Sequence, residues 1–170
     1  MNLPAASTEP RIQDGAPQSV EIRFSSNPLL LAGICASAVD FVCGSHPGKP
    51  HEVAVVLREL LVNAVEHGNK HDLGKYVTCR VTRIGPHAAE IAVEDEGEGF
   101  DPTHVDLGYP ASPAELSRNG LRIANALSCA LSFEEGGRRV VCRLSWGPDG
   151  RLCTMAAQAA SNGKTERGAL

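Results

Sequence analysis

The chain has 170 residues and a formal net charge of -4, enough for one domain with a real core and too few for two full-sized ones. The acidic balance argues against sequence-independent nucleic-acid binding, whose affinity comes from basic patches. Hydrophobic residues make up 42% and charged residues 21%, an ordinary soluble globular composition. No apolar run reaches the roughly 20 residues of a membrane span. The N-terminus lacks the basic start and apolar core of a signal peptide, so a cytoplasmic location is expected.

Residues 1–18 are rich in Pro, Ala, Ser and Gly without periodicity and read as a flexible segment. "SVEIRF" (Ser19 to Phe24) alternates like a half-buried strand. Asn27 then offers an N-cap and Pro28 a first helical position for "LLLAGICASAVDFVCG". "SHPGKP" is a loop. From His51 to His67, Val53, Val56, Leu57, Leu60, Ala64 and Val65 recur at helical spacing and predict a second amphipathic helix, stopped by "HGNKHDLG". "YVTCRVTRIG" and "AAEIAVED" read as strands of a hairpin turning at "PH". A long connection from Glu96 to about Ser117 leads to a short helix across "GLRIANALS". "ALSFEE" and "RRVVCRLSW" close the domain as a hairpin around Gly136-Gly137. The domain is thus bounded at about 19–147, with 148–170 as a flexible polar tail. The order β, α, α, β, β, α, β, β lacks βαβ alternation and predicts an α+β, two-layer sandwich with helices on one sheet face.

The six cysteines are dispersed with no C-x-x-C, as expected of reduced, buried thiols. His67 and His71 are four apart, but no second ligand pair at a recognised spacing accompanies them, which disfavours zinc.

Two stretches carry chemistry. In "LRELLVNAVEHGN", Glu59, Asn63 and Glu66 are spaced four and three apart and share a helix face. Asn63 is a poor mid-helix residue because its amide competes for backbone hydrogen bonds. Its carbonyl and the Glu59 carboxylate are hard ligands of the kind Mg2+ takes when it arrives with nucleotide phosphates. Glu59 could equally serve as a general base, and a plain solvated face accounts for the same pattern. In "VEDEGEGFD", Asp95 ends a strand, where its carboxylate can accept from an exocyclic amine. Gly97 and Gly99 allow a flat base to approach the main chain, and Phe100 can pack beneath.

"ELLVNAVEHGN" resembles the N box of the ATPase superfamily shared by DNA gyrase, sensor histidine kinases and MutL. "DEGEGFD" resembles its first glycine box and "RNGLRIANAL" its second. The resemblance spans about Val20 to Trp146, and the "NAVEHG" form and short lid are most similar to bacterial anti-sigma-factor serine kinases. It implies a Bergerat-type fold with a mixed sheet. It also implies that Asp95 binds the adenine amino group, Asn63 holds Mg2+, His67 stands beside the phosphates, and Glu59 orients or deprotonates an attacking hydroxyl. Gly120 and Leu121 match the second glycine box, whose N–H groups cradle phosphates at a helix N-terminus. Arg118 replaces that box's first glycine, offering a charge-assisted phosphate contact or a distorted turn. The implied cofactors are ATP and Mg2+, and the implied partners an anti-sigma-factor antagonist and a sigma factor, with a homodimer as a further implication. A nucleotide-sensing or inactive partner-binding module and a detached histidine-kinase catalytic domain are the alternatives.

Overall fold

The computed structural model describes residues 7–11, 18–44, 51–108 and 120–154. Six strands form one sheet: β1 (Ser7–Arg11), β2 (Gln18–Ser25), β3 (Tyr76–Gly85), β4 (Ala88–Asp95), β5 (Ala130–Glu134) and β6 (Arg139–Ser145), in the order β1-β2-β3-β4-β6-β5. Three helices complete it: α1 (Leu31–Cys43), α2 (His51–Val62) and α3 (Gly120–Leu127).

Asn27 caps the start of the first helical region as its sequence predicts, its Oδ1 accepting from Leu29 N at 3.0 Å ahead of a 3-10 turn that opens on Pro28. The apolar stripe of α2 is buried along its length, from Val53 through Val56, Leu57, Leu60 and Leu61. It lies in one cluster with Val20, Ile22 and Phe24 of β2, Val77, Cys79 and Val81 of β3, Ala89, Ile91 and Val93 of β4, and Cys142 and Leu144 of β6. Those strand residues alternate, so one sheet face makes the core. The other face carries charges paired across strands, such as Arg80 with Glu21 and Arg143 with Glu90. The α+β sandwich is therefore the fold observed.

The sheet is not mixed, as the resemblance had implied: every neighbouring pair of strands runs antiparallel. Two successive helices between β2 and β3 return the chain to the end it left, so β3 runs back against β2. After the single helix α3, β5 does run in the direction of β4, but the β5–β6 hairpin folds β6 into the space between them.

Two segments read as flexible are partly built into this sheet. Ser7–Arg11 pairs with β2 as the edge strand β1, and its Pro10 is compatible with an edge position. The composition there carries no alternation, so nothing local announced the strand; the partner edge supplies the order. Past residue 147 the chain turns back, with Trp146 bridging Leu152 and Cys153 N donating to Ser145 O at 2.7 Å. The "SHPGKP" loop, Arg118 and residues beyond 154 lie outside the described residues.

Helix α2 does not run unchanged to His67. From Asn63 to Gly68 it widens into a π-helical turn, and Asn69 N donates to Ala64 O at 2.8 Å, five residues back. Such widenings occur often at functional sites.

Candidate nucleotide site

A cleft opens between the widened end of α2, the turn after β4 and the start of α3. Its inner part, about 340 Å³, is lined by Asn63, Ala64, His67, Gly68, Lys70, Asp95, Glu98, Gly99, Phe100, Val105, Leu121 and Gly137. Its outer part, about 360 Å³, shares Asn63, His67, Val105 and Leu121 and adds Asp106, Gly120 and Arg122. Both lie in the range of small-molecule sites, about 300–1,000 Å³.

At the inner end Asp95 leaves β4 with its backbone N–H still tied to Arg138 O at 3.0 Å. Its Oδ1 accepts from Gly97 N at 2.8 Å, which fixes the carboxylate plane. Burial pushes the Asp95 carboxyl above the usual aspartate range, opposed by the Gly97 N–H and by the charges of Arg138 and Lys75. A Cβ on Gly68 would overlap this carboxyl group, and one on Gly97 would run into the Gly68 backbone, 2.7 Å from its carbonyl carbon. Gly97 therefore acts from behind Asp95 and does not line the cleft.

Gly99 and Phe100 form the next wall. Gly99 has φ +76, and Phe100 N donates to Gly136 O at 2.9 Å, which docks the turn on the β5–β6 hairpin. Phe100 packs edge-on against Phe133, with ring centroids 5.4 Å apart. Its partner is thus a strand of the sheet, while one face still borders the cleft.

At the outer end, Glu59 and Asn63 converge on the first residue of α3. A Cβ on Gly120 would overlap Glu59 Oε2 and lie 3.4 Å from Asn63 Nδ2. Glu59 Oε1 is paired with Arg58 Nη1 at 2.9 Å. His67, not Glu66, continues this face into the cleft, because the wider π turn brings residues four apart closer to alignment; Glu66 is exposed and lines neither part.

Asn63 Nδ2 is buried and has no hydrogen-bond partner among the described residues. Nothing bonded there opposes a half-turn presenting Oδ1 to a cation, and amide orientation is set by such partners alone. Among the described residues no group of three or more His, Cys, Asp or Glu could hold a metal unaided. A single Asn ligand suits Mg2+, which keeps waters and takes its remaining oxygens from nucleotide phosphates. The dipole at the start of α3, whose first N–H groups have no partner within the helix itself, favours those phosphates at the same place.

Several residues here were not singled out from the sequence. Lys70 pairs with Glu98 at 3.5 Å beside the inner part and holds left-handed backbone at φ 55, as does His71, the residue set aside above as a zinc ligand, at φ 59. Arg122 pairs with Asp106 and also donates from Nε to Asp106 O at 3.0 Å, tying the connection after β4 to α3. Asn69 is buried with three side-chain hydrogen bonds. Only Asn69 left a trace, a polar residue directly after the helix-ending glycine, and that pattern is also an ordinary helix stop.

Among the described residues no helix is long and apolar enough to cross a membrane. Comparison with curated proteins gives no match. Residues 24–146 match the histidine kinase-like ATPase domain. The match takes in α1, α2, the turn after β4, α3 and the closing hairpin, so every wall of the cleft lies within it, and the chain belongs to that family.

Proposed function

We propose that the protein is a Mg-ATP-dependent serine/threonine kinase of the anti-sigma-factor type. Its substrate is an anti-sigma-factor antagonist protein, and phosphorylation switches partners between that antagonist and a sigma factor. Family membership supports the coarser part, a nucleotide-binding, kinase-like ATPase. The finer reading is carried by one observation: Glu59 and Asn63 face the same first residue of α3. That puts a candidate base and a candidate metal ligand together where phosphates are favoured.

In this reading Asp95 accepts from the adenine amino group, Gly97 fixes its carboxylate, and Gly99 and Phe100 wall the base. Asn63 holds Mg2+, while His67, Gly120 and Leu121 border the phosphates. Glu59 orients the attacking hydroxyl and takes its proton. Mg-ATP supplies the phosphoryl group and much of the charge neutralisation on which such transfers depend. The test is to incubate the full chain with Mg-ATP and candidate antagonist proteins and seek a phosphoryl mass on serine or threonine. Glu59→Gln should lower transfer by about 100- to 10,000-fold with ATP affinity little changed. No transfer from the wild type to any antagonist would sink the kinase reading.

A second reading, a nucleotide-sensing partner-binding module, is favoured by the Arg58–Glu59 pair at 2.9 Å. A carboxylate oxygen engaged by a guanidinium is not free to take a hydroxyl proton until that pair opens. Tight binding to a sigma factor or antagonist without transfer would select it.

A further inference from the structure

Asn69 is 1% exposed, and its amide joins three separate parts of the chain. Its Oδ1 accepts from Glu96 N at 2.9 Å, in the turn after β4. Its Nδ2 donates to Tyr76 O at 2.8 Å, where β3 begins, and to Ser26 Oγ at 2.7 Å, just past β2. The Ser26 hydroxyl in turn donates to Lys75 O at 3.2 Å.

Glu96 is held a second time. Its Oε2 accepts from Tyr76 N at 2.9 Å, and its Oε1 takes Arg23 Nη2 at 2.9 Å. Asn69, Glu96 and Tyr76 therefore close a ring of hydrogen bonds. That ring sits between Asp95, whose next residue it holds, and Gly68, the residue before Asn69. The contact between Gly68 and the Asp95 carboxyl is what the ring fixes. Asn69 is the buried member of the ring and tolerates little displacement, because each partner it loses leaves a desolvated part of its amide unpaired.

We infer that Asn69 is a positioning residue for base recognition: through the Glu96 N–H it sets where the Asp95 carboxylate meets the exocyclic amine of adenine. The inference rests on the nucleotide-binding reading of Asp95. A merely structural Asn69 would affect all nucleotides alike, whereas a positioning Asn69 governs only the contact to the amine.

The experiment compares the affinity of the full chain for ATP and for purine riboside triphosphate, which lacks that amine. Wild type should prefer ATP by about tenfold or more, the loss expected for one hydrogen bond to a charged group. Asn69→Ala should remove most of that preference by weakening ATP, with purine riboside triphosphate changed by no more than about twofold, well inside that tenfold margin. If Asn69→Ala does not fold, Glu96→Pro removes the same N–H from the other side, and Glu96→Ala is its control because it keeps the N–H and loses only the carboxylate. A wild type with no preference overturns the adenine role of Asp95, and this inference with it. A wild type with the preference, retained in full by Asn69→Ala or by Glu96→Pro relative to its control, overturns the positioning role alone.

Discussion

Gly68 and Asp95 meet through a missing side chain: a Cβ on Gly68 would overlap the carboxyl group, 2.6 Å from its Oδ1. The end of α2 and the end of β4 can approach this closely only while residue 68 is glycine. Gly97 has a different obstacle, since its Cβ would strike the backbone of Gly68. A carboxyl group can rotate aside and a main chain cannot. Gly68→Ala should therefore weaken ATP about tenfold or more while lowering stability by about 1 kcal/mol or less. Gly97→Ala should cost about 1–3 kcal/mol, the range for forced overpacking. Denaturant melts and calorimetry on both variants test the ordering, and equal losses of stability would contradict it.

Asp95 has a raised pKa, caused first by burial. Its contribution to stability is thus fully present below the unfolded carboxyl's pKa and is lost as pH rises through the folded one. At neutral pH the anion opposes folding, so Asp95→Asn should raise Tm at pH 7, with the gain shrinking in acid. ATP binding has the opposite requirement, because the anion is the better acceptor. Asp95→Ala should weaken ATP at least tenfold, and wild-type affinity should fall as pH drops through the raised pKa. A Tm unchanged by Asp95→Asn at pH 7 would deny the burial cost.

Among the described residues the Asn63 amide nitrogen has no partner to lose. Asn63→Ala should accordingly leave the melting transition nearly unchanged, yet abolish the tightening of ATP binding by Mg2+. Calorimetry with and without Mg2+ reads this directly. An unfolded variant, or an undiminished Mg2+ effect, would return Asn63 to the scaffold.

Burial pushes the Cys79 and Cys142 thiols up to about 12, whereas Cys153 is exposed. Thiolate is the reactive form. A thiol reagent at pH 8 should modify Cys153 first and spare Cys79 and Cys142 until denaturant is added. Rapid labelling of either buried cysteine in the native protein would contradict the core described above.

Much of this was legible locally. The Asn27 cap, the buried stripe of α2, the turn at Pro86 and His87 and the Gly136-Gly137 hairpin each follow from a few adjacent residues. Asp95, Gly99, Phe100 and Asn63 stood out because acids, glycines and a mid-helix amide are costly unless used. Relations across long sequence distances were not legible. Nothing near Asn69 signals Glu96 or Ser26, and nothing near Asp106 signals Arg122. The π turn depends on the packing at the end of α2 and not on its apolar spacing, so the sequence placed Glu66 on the chemical face where the structure has His67. The edge strand β1 exists because β2 has a free side, which no property of Ser7–Arg11 reveals.

β6 lies between β4 and β5, although it is the last of the described strands to be made. The strand bearing Asp95 therefore has one bare edge on the ribosome until the final hairpin emerges. Asp95 N needs Arg138 O, and Phe100 N needs Gly136 O, so the floor of the cleft waits on residues translated some forty positions later. Long-range pairings of this kind form slowly, and an unpaired central strand is a site of misassociation while it waits. Nascent chains halted before this hairpin clears the exit tunnel would carry every N-box residue and still lack the floor of the cleft, so the site can close around a ligand only after residues 136–138 have emerged.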